Sequence, residues 1–252
     1  MEILITLLVS LGINLTMFIP AFIFKTDKLT DISYAVTFVV VALFGLLSGE
    51  ISLLKILYVA AIGLWAIRLG SYLLIRIRKI GRDKRFDGKR DNFFWFLRFW
   101  VLQGITVWVV MIPGTYFLNG SVSKNLLWPI LGIIVFVAGL LIETFADLQK
   151  YRFINNPENK GQWIDSGLWS ISRHPNYLGE IMVWVGLYLF AAPSLVGNTI
   201  WVGLIGPGFI AYMIIFVSGI PILEKGADKM WGDNPRYQEY KNRAGMLLPK
   251  IF

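Results

Sequence analysis

The chain has 252 residues, of which 56% are hydrophobic and 16% charged, with a mean hydropathy of +0.62 and a formal charge of +8. A soluble domain carries roughly 25% charged residues and cannot hide so much apolar surface in a core of this size. With no cysteine and a single histidine, His174, disulfides, thiolate nucleophiles, zinc-thiolate centres and sites built on several imidazoles are excluded.

Seven apolar stretches are long enough to cross a hydrocarbon layer, which takes about 20 helical residues. They run Ile3–Phe24, Ile32–Leu47, Leu53–Ile75, Phe93–Ile112, Leu126–Phe145, Tyr177–Ala192 and Thr199–Ile220. The first has no basic segment before it and carries Glu2, so it reads as a retained span and not as a signal peptide. The chain is therefore expected to be an all-α, polytopic membrane protein.

Basic residues set the expected orientation. Lys25 and Lys28 follow the first span. Arg76, Arg78, Lys79, Arg82, Lys84, Arg85, Lys89, Arg90 and Arg98 cluster after the third. Lys150, Arg152, Lys160 and Arg173 follow the fifth, and Lys225, Lys229, Arg236, Lys241, Arg243 and Lys250 lie in the tail. Seven spans with the N-terminus outside put all of these on the cytoplasmic side, as the positive-inside rule requires, and leave only Lys55 and Lys124 opposite. The excess positive charge then faces anionic lipid and calls for no nucleic acid. The outer connections are short turns, so material for a site exists only on the cytoplasmic side.

Candidate residues follow in chain order. Asp31, after Thr30, opens the second span and reads either as an N-terminal helix carboxylate or as a functional acid. Arg68 lies inside the third span, where a charge marks a functional site unless it snorkels to the surface. Glu143 and Asp147 are four apart near the cytoplasmic end of the fifth. Carboxylates on one helical face repel and need cations, for which Arg68, Arg152 and Arg173 are available; they form either a structural ion network or a contact to ribose or amide groups.

The most informative stretch, Gly161 to Leu189, places Ser172-Arg173-His174 before Pro175, a residue suited to the first turn of a helix. The sixth span then begins with free backbone N–H groups beside Arg173 and His174, which suits a phosphate. Asn176 and Glu180 share the next face, with Trp184 one turn on. The structural alternative is a membrane-entry turn with Arg and Trp as interfacial anchors. In the tail, Tyr237 and Tyr240 are three apart with Arg236 and Arg243 nearby, a pattern suited equally to the lipid interface or to stacking on a base.

The Gly167–Glu180 stretch, the Glu143–Gln149 pattern, the Leu102-Gln103-Gly104 step, the Arg68–Tyr72 segment and the C-terminal Pro249 together resemble the steroid 5-alpha-reductase superfamily. The resemblance is strongest to its bacterial branch of reductase-like membrane proteins. It covers the whole chain as a single membrane domain, 1–252, and is most specific over 126–252. It implies seven spans around a cytoplasm-open cavity holding NADPH, with NADH as the alternative, in a multi-pass protein of the cell membrane. It further implies reduction of a carbon–carbon double bond in an apolar, lipid- or steroid-like substrate that enters from the bilayer.

The implied cofactor-binding residues are Asp147, Arg152, Arg173, His174, Asn176, Tyr177, Glu180, Arg236, Tyr237, Tyr240 and Arg243; no metal is implied. Trp65 stands where the steroid enzymes carry the Tyr that donates a proton, so Asp31 and Tyr34 are taken as the catalytic acid pair, with Tyr72 a further alternative. The Arg-His-Pro-x-Tyr-x-Gly string also resembles membrane methyltransferases of the isoprenylcysteine and phospholipid type, which use S-adenosylmethionine. Their two adjacent tail glutamates are here reduced to Glu224 followed by Lys225. A non-catalytic membrane protein is the third reading. Substrate identity and oligomeric state are left open by the sequence.

Overall fold

The computed structural model describes residues 1–80, 88 and 90–250. Of the basic residues expected after the third span, Arg82, Lys84, Arg85 and Lys89 lie outside the described residues, as do the side chains of Arg76, Arg78 and Lys79. Every named element among the described residues is a helix, with one isolated bridge between Ser172 and Gly245. Among the described residues, seven helical segments are long and apolar enough to cross a membrane.

The chain divides into two compact units, residues 1–129 with 190–206, and residues 130–189 with 207 onward. The first holds α1 (Glu2–Ile23), α2 (Lys28–Ser48), α3 (Leu53–Ile80), α4 (Phe93–Val110) and α5 (Ile112–Asn119). The fourth span was expected to run to Ile112. It stops at Val110, and α5 starts afresh, because Pro113 has no N–H for the helical ladder and its ring clashes with the carbonyl four residues back. A polar spine crosses the interior of this unit. Gln103 Nε2 donates to Asn14 Oδ1 at 2.9 Å, Ser33 Oγ at 2.9 Å and the Thr30 carbonyl at 3.1 Å. Asn14 Nδ2 in turn donates to the Ser10 carbonyl and to Thr37 Oγ1. These satisfied bonds set the mutual register of α1, α2 and α4, since a slip of any one helix strands buried donors.

The second unit is built on α6 (Leu127–Asn155) and α7 (Pro175–Ala191). α6 runs past the expected Phe145 to Asn155, which places Glu143 and Asp147 in the body of a helix. The two helices approach backbone to backbone. A Cβ added at Gly179 would lie 2.6 Å from the Gly139 carbonyl oxygen and from Glu143 N, and one at Gly186 would lie 2.5 Å from Phe136 N. Small residues at these points allow the close packing that membrane helices use in place of a hydrophobic drive.

The last span, expected as Thr199–Ile220, is broken. α8 (Thr199–Gly203) belongs to the first unit; α9 (Ile205–Tyr212) follows, ending in a wider turn over Met213–Val217. Pro207 cannot donate to the Gly203 carbonyl, which accounts for the break at Leu204. After Ser218 and Gly219, Pro221 sits in the first turn of α10 (Ile220–Trp231), and α11 (Pro235–Arg243) closes the chain. The Asn234 side chain caps α11 by accepting from Arg236 N.

Candidate functional site

The second unit contains a cavity of about 360 Å³, formed where the end of α6, the Trp163–His174 segment, α10 and α11 come together. Its centre is a charge cluster. Arg173 donates from Nε to Glu224 Oε1 at 3.0 Å, and from one terminal nitrogen to the carbonyls of Lys241 at 3.0 Å and Ala244 at 2.8 Å. His174 Nε2 lies 2.8 Å from the same Glu224 oxygen. Lys241 Nζ adds an ion pair to Asp228 at 2.6 Å and reaches Glu224 Oε2 at 3.5 Å. The backbone supports the arrangement: Arg173 N donates to the Gly245 carbonyl and Gly245 N to that of Ile171, locking the chain before α7 to the chain after α11.

Protonation follows from this geometry. Burial pushes the His174 pKa below its ordinary value, against the pull of the bond to Glu224, so the imidazole is neutral near pH 7. The Glu224 oxygen already accepts from a guanidinium, so it accepts from His174 as well, and the imidazole proton sits on Nε2. His174 Nδ1 is then a bare acceptor, buried and with no hydrogen-bond partner among the described residues. Burial also holds the Tyr240 phenol protonated well above its usual range. The Tyr240 hydroxyl donates to the Trp169 carbonyl at 2.8 Å, and Trp169 Nε1 to the Ala146 carbonyl at 3.0 Å.

The remaining walls are aromatic and aliphatic in about equal part. Trp163, Trp231 and Tyr237 form a mutually packed trio with ring centroids 5.2 to 5.9 Å apart. Trp231 Nε1 donates to the Gly161 carbonyl, whereas Trp163 Nε1 is buried with no partner among the described residues. Lys150 Nζ lies over the Trp169 ring, 4.8 Å from its centroid.

Four of the residues expected to bind a cofactor line this cavity: Arg173, His174, Tyr237 and Tyr240. The others lie elsewhere. Glu180 is buried and accepts from Trp184 Nε1 at 2.9 Å, one turn along the same helix. Asp147 is buried on α6, Asn176 is half-buried, and Tyr177 stacks on His174 with centroids 5.8 Å apart. Arg152, Arg236 and Arg243 are exposed. In the tail, therefore, the tyrosines turn inward while the two arginines face out. Arg173 was expected to join the start of α7 as an anion site; its Nε and one terminal nitrogen are instead engaged within the unit. The expected catalytic pair lies in the first unit. Asp31 and Tyr34 are both partly exposed on α2, and the Tyr34 ring packs edge-on against Phe38 and Trp65.

Glu224, Lys241, Lys150 and the three tryptophans were not anticipated as site residues. Glu224 had a legible signal, a lone carboxylate directly after the apolar Ile222-Leu223 pair, but its partners lie 50 residues away in sequence. No group of three or more metal-ligating side chains occurs among the described residues.

The family model described as protein of unknown function (DUF1295) matches residues 17–244, so the chain belongs to that family, which falls in the steroid 5-alpha-reductase-like group. A delta(14)-sterol reductase of Methylotuvimicrobium alcaliphilum is 33% identical over 127 residues, covering 42% of this chain and 28% of that protein. The delta(14)-sterol reductase of Arabidopsis thaliana is 29% identical over 100 residues, 34% of this chain and 27% of that one. A probable O-methyltransferase of Ustilaginoidea virens is 36% identical over 69 residues, 27% of this chain and 24% of that one. The chain thus spans about a quarter of the length of the curated relatives it matches. No solved structure matches it.

Proposed function

We propose that this member of the DUF1295 family is a membrane-embedded reductase that uses NADPH to reduce a carbon–carbon double bond in an apolar substrate drawn from the bilayer. A multi-pass, reductase-like protein agrees with the seven apolar helices and with the two sterol reductase relatives. The observation that carries the cofactor part of the reading is the cavity. Flat aromatic faces make a wall suited to a planar heterocycle, and Lys150 stands at its edge. About 360 Å³ is at the small end for a ligand pocket, enough for one nucleoside end of a dinucleotide and not for all of it.

When bound, NADPH supplies the hydride. The chain's residues hold, shield and protonate. Trp163, Trp231 and Tyr237 stack and exclude water. Glu224 keeps the proton on His174 Nε2 and fixes the orientation of the imidazole. Reduction of a polarised double bond also needs a proton, and Tyr34, with Asp31 one turn before it on α2, is the proposed donor. In this proposal the site lies on the cytoplasmic side of the cell membrane, the side to which the positive-inside rule assigns the basic segments.

A second reading, transfer of a methyl group from S-adenosylmethionine, is favoured by the O-methyltransferase relative and by the carboxylate of Glu224 in the cavity wall. Calorimetric titration of the detergent-solubilised protein with NADPH, NADH and S-adenosylmethionine separates the two. Binding of a reduced nicotinamide nucleotide, followed by its oxidation on addition of unsaturated membrane lipids, is the expected result. Binding of S-adenosylmethionine alone would reverse the assignment.

A further inference from the structure

The side chains of α10 divide the helix lengthwise. At 3.6 residues per turn, Ile222, Leu223, Gly226 and Met230 fall within an arc of about 100°. The three apolar side chains on that arc, Ile222, Leu223 and Met230, are 52%, 39% and 68% exposed. Large apolar groups gathered on one exposed stripe call for a cover, unlike single ones scattered over a surface. The opposite side of the helix faces the protein. Ile220 is buried, Ala227 and Trp231 pack on the cluster of Tyr237, Tyr240 and Ala244, and Glu224 meets Arg173 and His174.

The charges are sorted in the same way. Both carboxylates of α10 are engaged within the unit, Glu224 by Arg173, His174 and Lys241, and Asp228 by Lys241. Its two lysines, Lys225 and Lys229, flank the apolar stripe on one edge; both are exposed and neither makes an ion pair among the described residues. The outer face of the helix therefore combines an apolar stripe with uncompensated positive charge. The helix also starts just past the last apolar run: only Ser218 and Gly219 separate it from the wide turn that ends the uncharged residues 205–217.

We propose that α10 lies in the interface of an anionic bilayer, with Ile222, Leu223 and Met230 among the acyl chains and Lys225 and Lys229 on lipid phosphates. The lysine edge and the direct continuity with the last apolar run favour lipid over a partner protein or a second copy as the cover. Ile222, Leu223 and Met230 also line the cavity, so this seat brings one cavity wall to headgroup level, where an apolar substrate reaches it without crossing water. Only that consequence rests on the reductase reading; the seat itself does not.

The chain has no cysteine, so single-cysteine variants can carry one spin label each. Ile222→Cys, Gly226→Cys and Met230→Cys sample the stripe, and a Cβ added at Gly226 meets nothing within 4 Å. Glu239→Cys, at an exposed position on α11, supplies the reference outside the stripe. In nanodiscs of phosphatidylcholine with phosphatidylglycerol, labels on the stripe should collide with oxygen more than with a water-soluble nickel chelate, and should be better shielded from nickel than the Glu239 label. Each lysine near an anionic surface shifts the balance of seated and unseated helix roughly fivefold. Nickel access at Met230 should therefore rise in discs of phosphatidylcholine alone. In the double variant Lys225→Gln, Lys229→Gln it should be equally high in both lipids.

Nickel access on the stripe equal to that at Glu239 would overturn the proposal. So would shielding of the stripe from oxygen and nickel alike, the mark of a protein cover such as a second copy. A label depth indifferent to anionic lipid and to both lysines would overturn it too. None of these outcomes touches the nucleotide reading, which the calorimetric titration decides separately.

Discussion

Gly179→Ala adds one methyl group at a point of close backbone approach between α6 and α7, and the structure predicts the sign and size of its effect. The new Cβ would lie 2.6 Å from the Gly139 carbonyl oxygen and the Glu143 nitrogen, about 0.8 Å inside ordinary contact at 3.4 Å. Both neighbours are backbone atoms, so no side chain can turn away and the helices must separate. Overpacking of this kind costs roughly 1–3 kcal/mol. Alanine recovers about 0.5–1 kcal/mol through its better helix propensity. The net loss of about 1–2 kcal/mol corresponds to a fall in Tm of roughly 2–8 °C for a chain of this length. Gly63→Ala makes the same chemical change on α3 at a position with nothing within 4 Å of the added Cβ. There only the propensity gain of about 0.5–1 kcal/mol remains, and Tm should stay level or rise. Tryptophan-fluorescence melting of both variants in one detergent provides the comparison. If Gly179→Ala melts at or above Gly63→Ala, the close helix contact does not exist as described.

Gln103→Leu should cost about 1–3 kcal/mol, because Asn14 Oδ1 loses the donor that Gln103 supplies in the interior of the first unit; chemical or thermal unfolding measures it, and an unchanged midpoint would refute the polar spine. Acidification tests His174. Its folded pKa lies below the ordinary value of about 6.5, so its stabilising effect is complete above that pH and is lost as pH falls through the folded value. Tm should therefore decline between pH 7.5 and 5.5 in the wild type and decline less in His174→Phe. Trp184→Phe removes the indole donor to Glu180 and should lower the melting temperature without nucleotide by the equivalent of about 0.5–1.5 kcal/mol, the net worth of a typical hydrogen bond. Glu180→Gln keeps that acceptor; a loss of NADPH affinity with an unchanged melting temperature would place Glu180 in the site, and the opposite outcome would make it structural. For orientation, a reporter fused at Asn119 should lie outside and one at Lys89, in the segment beyond the described residues, in the cytoplasm; finding both on one side would refute seven spans with the N-terminus out.

What the sequence determined by itself is what depends on solvent and on local chain chemistry. Seven spans follow from the length of apolar runs, because lipid leaves no other partner for backbone N–H and C=O groups. The start of α7 at Pro175 and the break before Pro113 follow from a ring that can begin a helix but not continue one. That Tyr237 and Tyr240 share a helical face was legible; that this face turns inward, away from Arg236 and Arg243, was not. The extension of α6 to Asn155 was not, because a helix leaving the membrane loses its apolar signal while its backbone hydrogen bonds continue unchanged. Nor was the role of Glu224, which depends on α10 bringing a carboxylate to Arg173 and His174 from 50 residues away. Which tyrosine hydroxyls, indoles and imidazole nitrogens find partners is decided by the same long-range approach. The Gly139–Gly179 contact is of this kind too: each glycine alone is permissive, and only the partner helix turns it into a requirement. Hydropathy and turn chemistry act within a few residues along the chain, whereas a hydrogen bond or a clash is set by distances across it, and those exist only once the helices have packed.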